Sequence, residues 1–92
     1  HASFDYNGRK RVSNTLDLSL AGARIETVFP MRVGELVQIY IVIGGNTISP
    51  VSRVIHGEEL PELRYNAGCN FEKLEKDDLA YLAEYLINLS RP

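Results

Sequence analysis

The sequence is short of several things, and each shortage narrows what the chain can be. It has one cysteine, so it cannot close an internal disulfide, which fits a reducing cytoplasm. His56 is its only internal histidine. One His and one Cys cannot fill a tetrahedral zinc shell without carboxylates, so no metal site is expected. No segment approaches the roughly 18 consecutive apolar residues of a membrane span. The longest apolar run, Val37 to Ile43, is of strand length and contains Gln38. Positive charge is not in excess: ten Lys and Arg stand against twelve Asp and Glu, a formal net charge of −2. Non-specific nucleic-acid binding needs a concentrated positive face, so that class is not expected. The one basic cluster, Arg9-Lys10-Arg11, reads as a solvated hairpin tip. No basic, apolar, small-residue leader opens the chain, which gives secretion no support. No Gly-x-Ser-x-Gly elbow is present, so a hydrolase built from Ser19, His56 and Asp17 has nothing to recommend it. A chain opening on His1-Ala2-Ser3 is expected to be part of a longer gene product.

What remains is an ordinary globular composition in 92 residues, enough for one domain with a modest core. Ala2 to Tyr6 alternates apolar and polar positions and runs into Asn7-Gly8, a hairpin signal. Val12 to Leu18 carries β-branched residues and ends at a turn. Gly22 to Val28 alternates again, with Ala23, Ile25 and Thr27 on one face and Arg24, Glu26 and Val28 on the other. Phe29 to Glu35 reads as a loop. Leu36 to Ile43 is nearly continuous apolar, as expected of a strand buried on both faces. Gly44-Gly45-Asn46 closes a further hairpin. Thr47 to His56 is a long strand in which Pro50, unable to donate to the ladder, marks an edge or a bulge. Gly57 to Glu62 reads as a loop, and Arg64 to Leu74 as the last strand. From about residue 76 to 90 the period turns helical, with Leu79, Leu82, Ala83, Leu86 and Leu89 as an apolar stripe. Asp77 and Asp78 favour its N-terminal end and Arg91-Pro92 closes it. About six short strands and one helix predict an all-β fold with a C-terminal helix, a small six-stranded antiparallel, split barrel capped by that helix, as a single domain over 1–92.

The most informative run is Asp17-Leu18-Ser19-Leu20-Ala21-Gly22, where a strand meets a tight turn. Asp17 supplies a carboxylate able to accept from a guanine N–H edge, and Ser19 a hydroxyl that donates or accepts. Gly22 removes a Cβ where the backbone turns sharply or meets a ligand. The same three residue types are what any β-turn prefers. The run resembles the [Asp/Asn]-x-Ser-x-x-Gly signature of PilZ domains, and Ala23-Arg24-Ile25-Glu26 resembles the strand that leaves that turn. Val33-Gly34-Glu35-Leu36-Val37, Val51-Ser52-Arg53-Val54 and Ala67-Gly68-Cys69-Asn70-Phe71 follow in the family's order. The resemblance covers essentially the whole chain.

It implies a non-enzymatic bacterial regulatory module that binds cyclic di-GMP and relays the event to a protein partner or fused effector domain, with a homodimer left open. It implies ligand contacts from Asp17, Ser19 and Gly22, with Arg24 in reach of a phosphate, and no cofactor. Replacing Asp17 and Ser19 by alanine is then expected to abolish binding with little change in thermal stability. The family's Arg-x-x-x-Arg pair, normally just ahead of the first barrel strand, is not in this sequence. Such a pair would match phosphate oxygens and guanine O6/N7 bidentately. It lies upstream of His1, or is naturally missing in a nucleotide-blind adaptor, or is replaced by Arg9, Arg11 or Arg24. Arg53 lines a ligand face or pairs with a surface acid. Cys69 is expected to be a small buried hydrophobe. Tyr40 reads as packing, and Tyr81 and Tyr85, four residues apart, as a helix face that covers the barrel or a partner.

Overall fold

A computed structural model of the chain describes residues 2–6 and 9–89. Among these, β1 (Ala2–Tyr6), β2 (Arg9–Leu18), β3 (Gly22–Thr27), β4 (Leu36–Ile43), β5 (Asn46–Ile48), β6 (Val51–Leu60) and β7 (Arg64–Lys73) precede α1 (Lys76–Leu89). The strands run in the order β1-β2-β3-β7-β6-β4-β5, and β1 also pairs with β4. Six strands therefore close an antiparallel barrel, with β5 a short extension folded back along β4. The expected Asn7-Gly8 hairpin turn and the Arg91-Pro92 stop lie outside the described residues.

Pro50 explains the division of the long strand expected over Thr47 to His56. The chain leaves the ladder at Ser49-Pro50, so β5 pairs with the end of β4 and β6 with its beginning. The Pro50 carbonyl still accepts from the Ile39 amide at 3.0 Å. Gly44 and Gly45 both have positive φ, 53° and 88°, as a two-residue primed hairpin turn between Ile43 and Asn46 requires. The Val33-Gly34-Glu35 step is fixed to β6 by Gly34 N to Val54 O at 2.7 Å and Val54 N to Glu35 O at 2.9 Å.

The barrel interior is filled by Phe4, Ile25, Ile39, Ile41, Ile48 and Val54, each at most 1 % exposed. Burying each such side chain stabilises by about 1.5–3 kcal/mol before the chain's ordering entropy is counted. The helix lays Leu82, fully buried, on this core. It is tied down by the Tyr81 hydroxyl donating to the Ile43 carbonyl at 2.7 Å and by Asp78 accepting from the Ser49 amide at 3.0 Å. No helix of the described residues is long and apolar enough to cross a membrane.

Four expectations are corrected. β4 is not buried on both faces. Val37, Ile39, Ile41 and Ile43 point inward, while Leu36 and Val42 are exposed, because a closed barrel leaves its outer face to solvent. Gly57 to Leu60 is strand, paired with Arg64 to Ala67. The reversal is confined to Pro61-Glu62-Leu63, where Glu62 and Leu63 take positive φ of 65° and 59°. Arg9-Lys10-Arg11 belongs to β2, with Lys10 over the Tyr40 ring and Arg11 4.1 Å from the Phe29 centroid. The leucine stripe is only partly buried, since Leu79 and Leu89 remain 42 % and 64 % exposed.

Candidate functional site

The turn between β2 and β3 is built by one hydroxyl. Ser19 Oγ accepts from the amides of Ala21 at 3.2 Å and Gly22 at 3.3 Å and donates to the Gly22 carbonyl. The Ser19 amide also donates to that carbonyl at 2.9 Å. The turn is docked on β7 by the Phe71 amide, which donates to the Ala21 carbonyl at 2.8 Å. Gly22 has a packing reason of its own. A Cβ there would lie 2.1 Å from the carbonyl oxygen of Cys69, a backbone atom that cannot swing aside. Ser19 and Gly22 are thus structural whatever else they do. Ser19 cannot be removed as innocuously as the sequence suggests, because its loss strands turn amides worth about 1 kcal/mol.

Asp17 owes its position to a β-bulge. Along β2, Ser13 and Thr15 follow the inward face, and regular alternation would turn Asp17 inward too. The register slips between Thr15 and Asp17, so Asp17 falls opposite Arg24 on the outer face. There the Arg24 guanidinium donates to the Asp17 carboxylate at 2.7 Å, with side chains 52 % and 67 % exposed. So exposed a pair contributes little to stability and its partners are open to exchange. A second bulge, between Val54 and His56 on β6, turns Ile55 outward on the far side.

Between the two bulges lies a cleft of about 240 Å³, with Asp17, Ser19 and Arg24 on one side, Ile55 on the other, and Gly68 and Asn70 along its floor. Gly22 also borders it. All four residues singled out from the sequence are therefore brought together. Gly68, Asn70 and Ile55 were missed as members of the site. Alternation along Ala67-Gly68-Cys69-Asn70 puts Gly68 and Asn70 on the outer face, but the pairing of β7 with β3 and the bulge at Ile55 have no local sequence signal.

Other candidates lie elsewhere. Arg9 and Arg11 sit eight and six residues before Asp17 along β2, about 20–26 Å away at strand rise, so only Arg24 of the three stands at the cleft. Arg53 donates to Glu72 at 2.6 and 3.1 Å and to the Gly34 carbonyl at 2.7 Å, a clasp between β6, β7 and the loop before β4. The hydrogen bond from Arg53 holds the Glu72 carboxyl below its ordinary range. His56 Nε2 lies 3.9 Å from Glu58, and Ser19 bonds only backbone groups of its own turn. Tyr40 donates to Asp5 at 2.9 Å, which raises its phenol pKa. Cys69 is buried as expected, and burial pushes its thiol up to about 11. Among the described residues no cluster of three His, Cys, Asp or Glu side chains could hold a metal ion.

Chemically, the cleft offers an exposed carboxylate that only accepts, a guanidinium fork beside it, the Asn70 amide, and strand backbone left bare at Gly68. That combination suits a planar group with adjacent N–H donors attached to an anion. No curated protein and no solved structure matches the chain significantly. The family model described as PilZ domain matches residues 1–88. With that span, the closed barrel and the turn motif in place, the chain belongs to the PilZ domain family.

Proposed function

We propose that this chain is a non-enzymatic receptor module for cyclic di-GMP in the bacterial cytoplasm, which passes ligand binding to a protein partner or a fused effector domain. The observation that carries the reading is the outward Asp17–Arg24 pair at the mouth of the cleft. Guanine presents N1–H and N2–H side by side, and an ionised carboxylate accepts both. When Asp17 turns to a guanine, Arg24 is released, and its fork fits a phosphate oxygen pair or the O6/N7 edge. The exchange is undemanding because the pair it replaces is solvated. Ser19 and Gly22 hold the turn that aims Asp17, with the Ser19 hydroxyl at the cleft wall.

The missing Arg-x-x-x-Arg pair bears on affinity. Two phosphates can pin an arginine-rich segment, so a protein carrying such a pair ahead of residue 1 would bind more tightly and order that segment on binding. Without it, Arg24 is the one cation among the described residues that lines the cleft.

Calorimetric titration of cyclic di-GMP into the wild type and Asp17→Ala tests the reading. The wild type is expected to bind. Asp17→Ala is expected to lose ~1–3 kcal/mol, the size of one bidentate base contact. Its thermal midpoint should stay close to that of the wild type, because the lost ion pair is exposed. Equal binding by both proteins removes Asp17 from the site. No binding by either makes the domain a nucleotide-blind adaptor acting through protein contact.

A further inference from the structure

Neither neighbour of β2 covers its whole length. β1 pairs with it from Arg9 to Ser13, and β3 only from Asn14 to Leu18. The edge of Arg9 to Ser13 that faces away from β1 therefore has no strand beside it among the described residues. In an antiparallel ladder alternate residues turn their N–H and C=O groups to opposite sides, so about half of this segment's backbone groups point to the open edge. The loop after β3 does not take them. The Phe29 amide donates to Thr27 Oγ1 at 3.2 Å where the chain leaves the sheet, and Met31 is buried in the core. No backbone group of that loop bonds to β2.

Where the two strands part, a cavity of about 250 Å³ opens, with Val12, Ser13 and Asn14 on one side and Glu26, Thr27 and Val28 on the other. Val12 and Val28 stand 66 % and 59 % exposed beside it. Arg11 Nε and Ser13 Oγ, two residues apart on one face of the segment, are shielded from water without a hydrogen-bond partner, a costly state for a polar group. An open edge of this kind is a template for another strand. The charge says which strand. Arg9, Lys10 and Arg11 form no ion pair among the described residues, and the carboxylates on the adjoining strands are engaged, Asp5 by the Tyr40 hydroxyl and Glu26 by Arg64. A second copy would set this basic run against itself, which like charges oppose.

We propose that the open edge of β2 is a docking site for an extended acidic segment of a partner protein, which adds an antiparallel strand in the lane that β3 leaves. Alternation sets its pattern. An apolar residue falls opposite Val12 and reaches the cavity beside Val28. The two acidic residues after it fall opposite Arg11 and Lys10, one on each face. The site is separate from the cleft and does not depend on cyclic di-GMP.

The test uses two acetylated, amidated peptides, Ser-Val-Glu-Glu-Thr and Ser-Val-Lys-Lys-Thr, without nucleotide. Each is titrated into the isotope-labelled wild type and the double variant Lys10→Glu, Arg11→Glu, following amide chemical shifts and hydrogen exchange. The acidic peptide is expected to shift the wild-type amides from Arg9 to Asn14 and slow their exchange. The basic peptide is expected to bind at least about tenfold more weakly. The double variant is expected to reverse that preference, which an unfolded protein cannot do. If the variant fails to fold, the wild type's choice between the peptides decides. Equal binding of both peptides by the wild type, shifts located at the helix or the cleft instead, or no response at millimolar peptide overturns the inference. Phosphatidylglycerol vesicles, run alongside, cover the other anionic partner: perturbation of Arg9 to Arg11 by vesicles but not by peptide assigns the edge to a lipid surface and overturns it as well. Each of these outcomes leaves the cyclic di-GMP reading where its own titration puts it.

Discussion

At the scale of single residues, the motif divides into parts that build and a part that is offered. Ser19 spends its hydroxyl on three backbone contacts of its own turn, and Gly22 gives the Cys69 carbonyl room. Asp17 alone has no structural duty beyond an exposed ion pair. The sequence made these three residue types legible as a turn and as a ligand site, but could not apportion them. Which atom approaches Gly22 depends on a strand some 47 residues later, and nothing near the motif encodes it. Gly22→Ala is accordingly expected to lose at least ~1–3 kcal/mol through overpacking against fixed backbone, measured by urea unfolding. An alanine variant with wild-type stability would mean that the β3–β7 contact is looser than the geometry states.

At the scale of elements, the strands were legible where alternation met turn chemistry. Gly22 to Thr27 follows the inside-outside pattern read from its sequence, and the Gly44-Gly45 turn falls where it should. The failures have physical causes. Gly57-Glu58-Glu59 carries no apolar alternation because it is an exposed stretch of the hairpin with β7, paired along its backbone with Tyr65 to Ala67. Leu36 to Ile43 is apolar on both faces, but only its inner face faces the core. Pro50 was read as an edge or bulge within one long strand, whereas it divides β5 from β6, and its consequence for the helix was not visible. The gap it opens leaves the Ser49 amide to be taken by Asp78, which anchors the start of α1. Toward the middle of the helix the anchor is the Tyr81 hydroxyl on the Ile43 carbonyl. Tyr81→Phe keeps the ring and removes that bond. It is expected to cost about 0.5–1.5 kcal/mol in urea unfolding while the far-ultraviolet helix signal at low denaturant is retained. No measurable loss would mean that water serves the Ile43 carbonyl equally well.

At the scale of the whole molecule, the barrel is a scaffold that brings distant pieces of chain to one outward cleft. β2 contributes Asp17, β3 Arg24, β6 Ile55, and β7 Gly68 and Asn70. Element order and family were legible because the motif pieces occur in sequence along one short chain. The cleft was legible only on its β2–β3 side, where the residues are neighbours in sequence. Its other side depends on register and on two bulges, which long-range pairing sets. The measurement that tests the central claim most directly is a titration of cyclic di-GMP into the isotope-labelled chain, followed by amide chemical shifts in nuclear magnetic resonance. The account predicts perturbations concentrated at Asp17 to Arg24, Ile55, and Gly68 to Asn70, with the Arg9–Arg11 end of β2 and the Arg53–Glu72 clasp unmoved. Perturbations confined to that opposite end of β2, or to the helix, would contradict it.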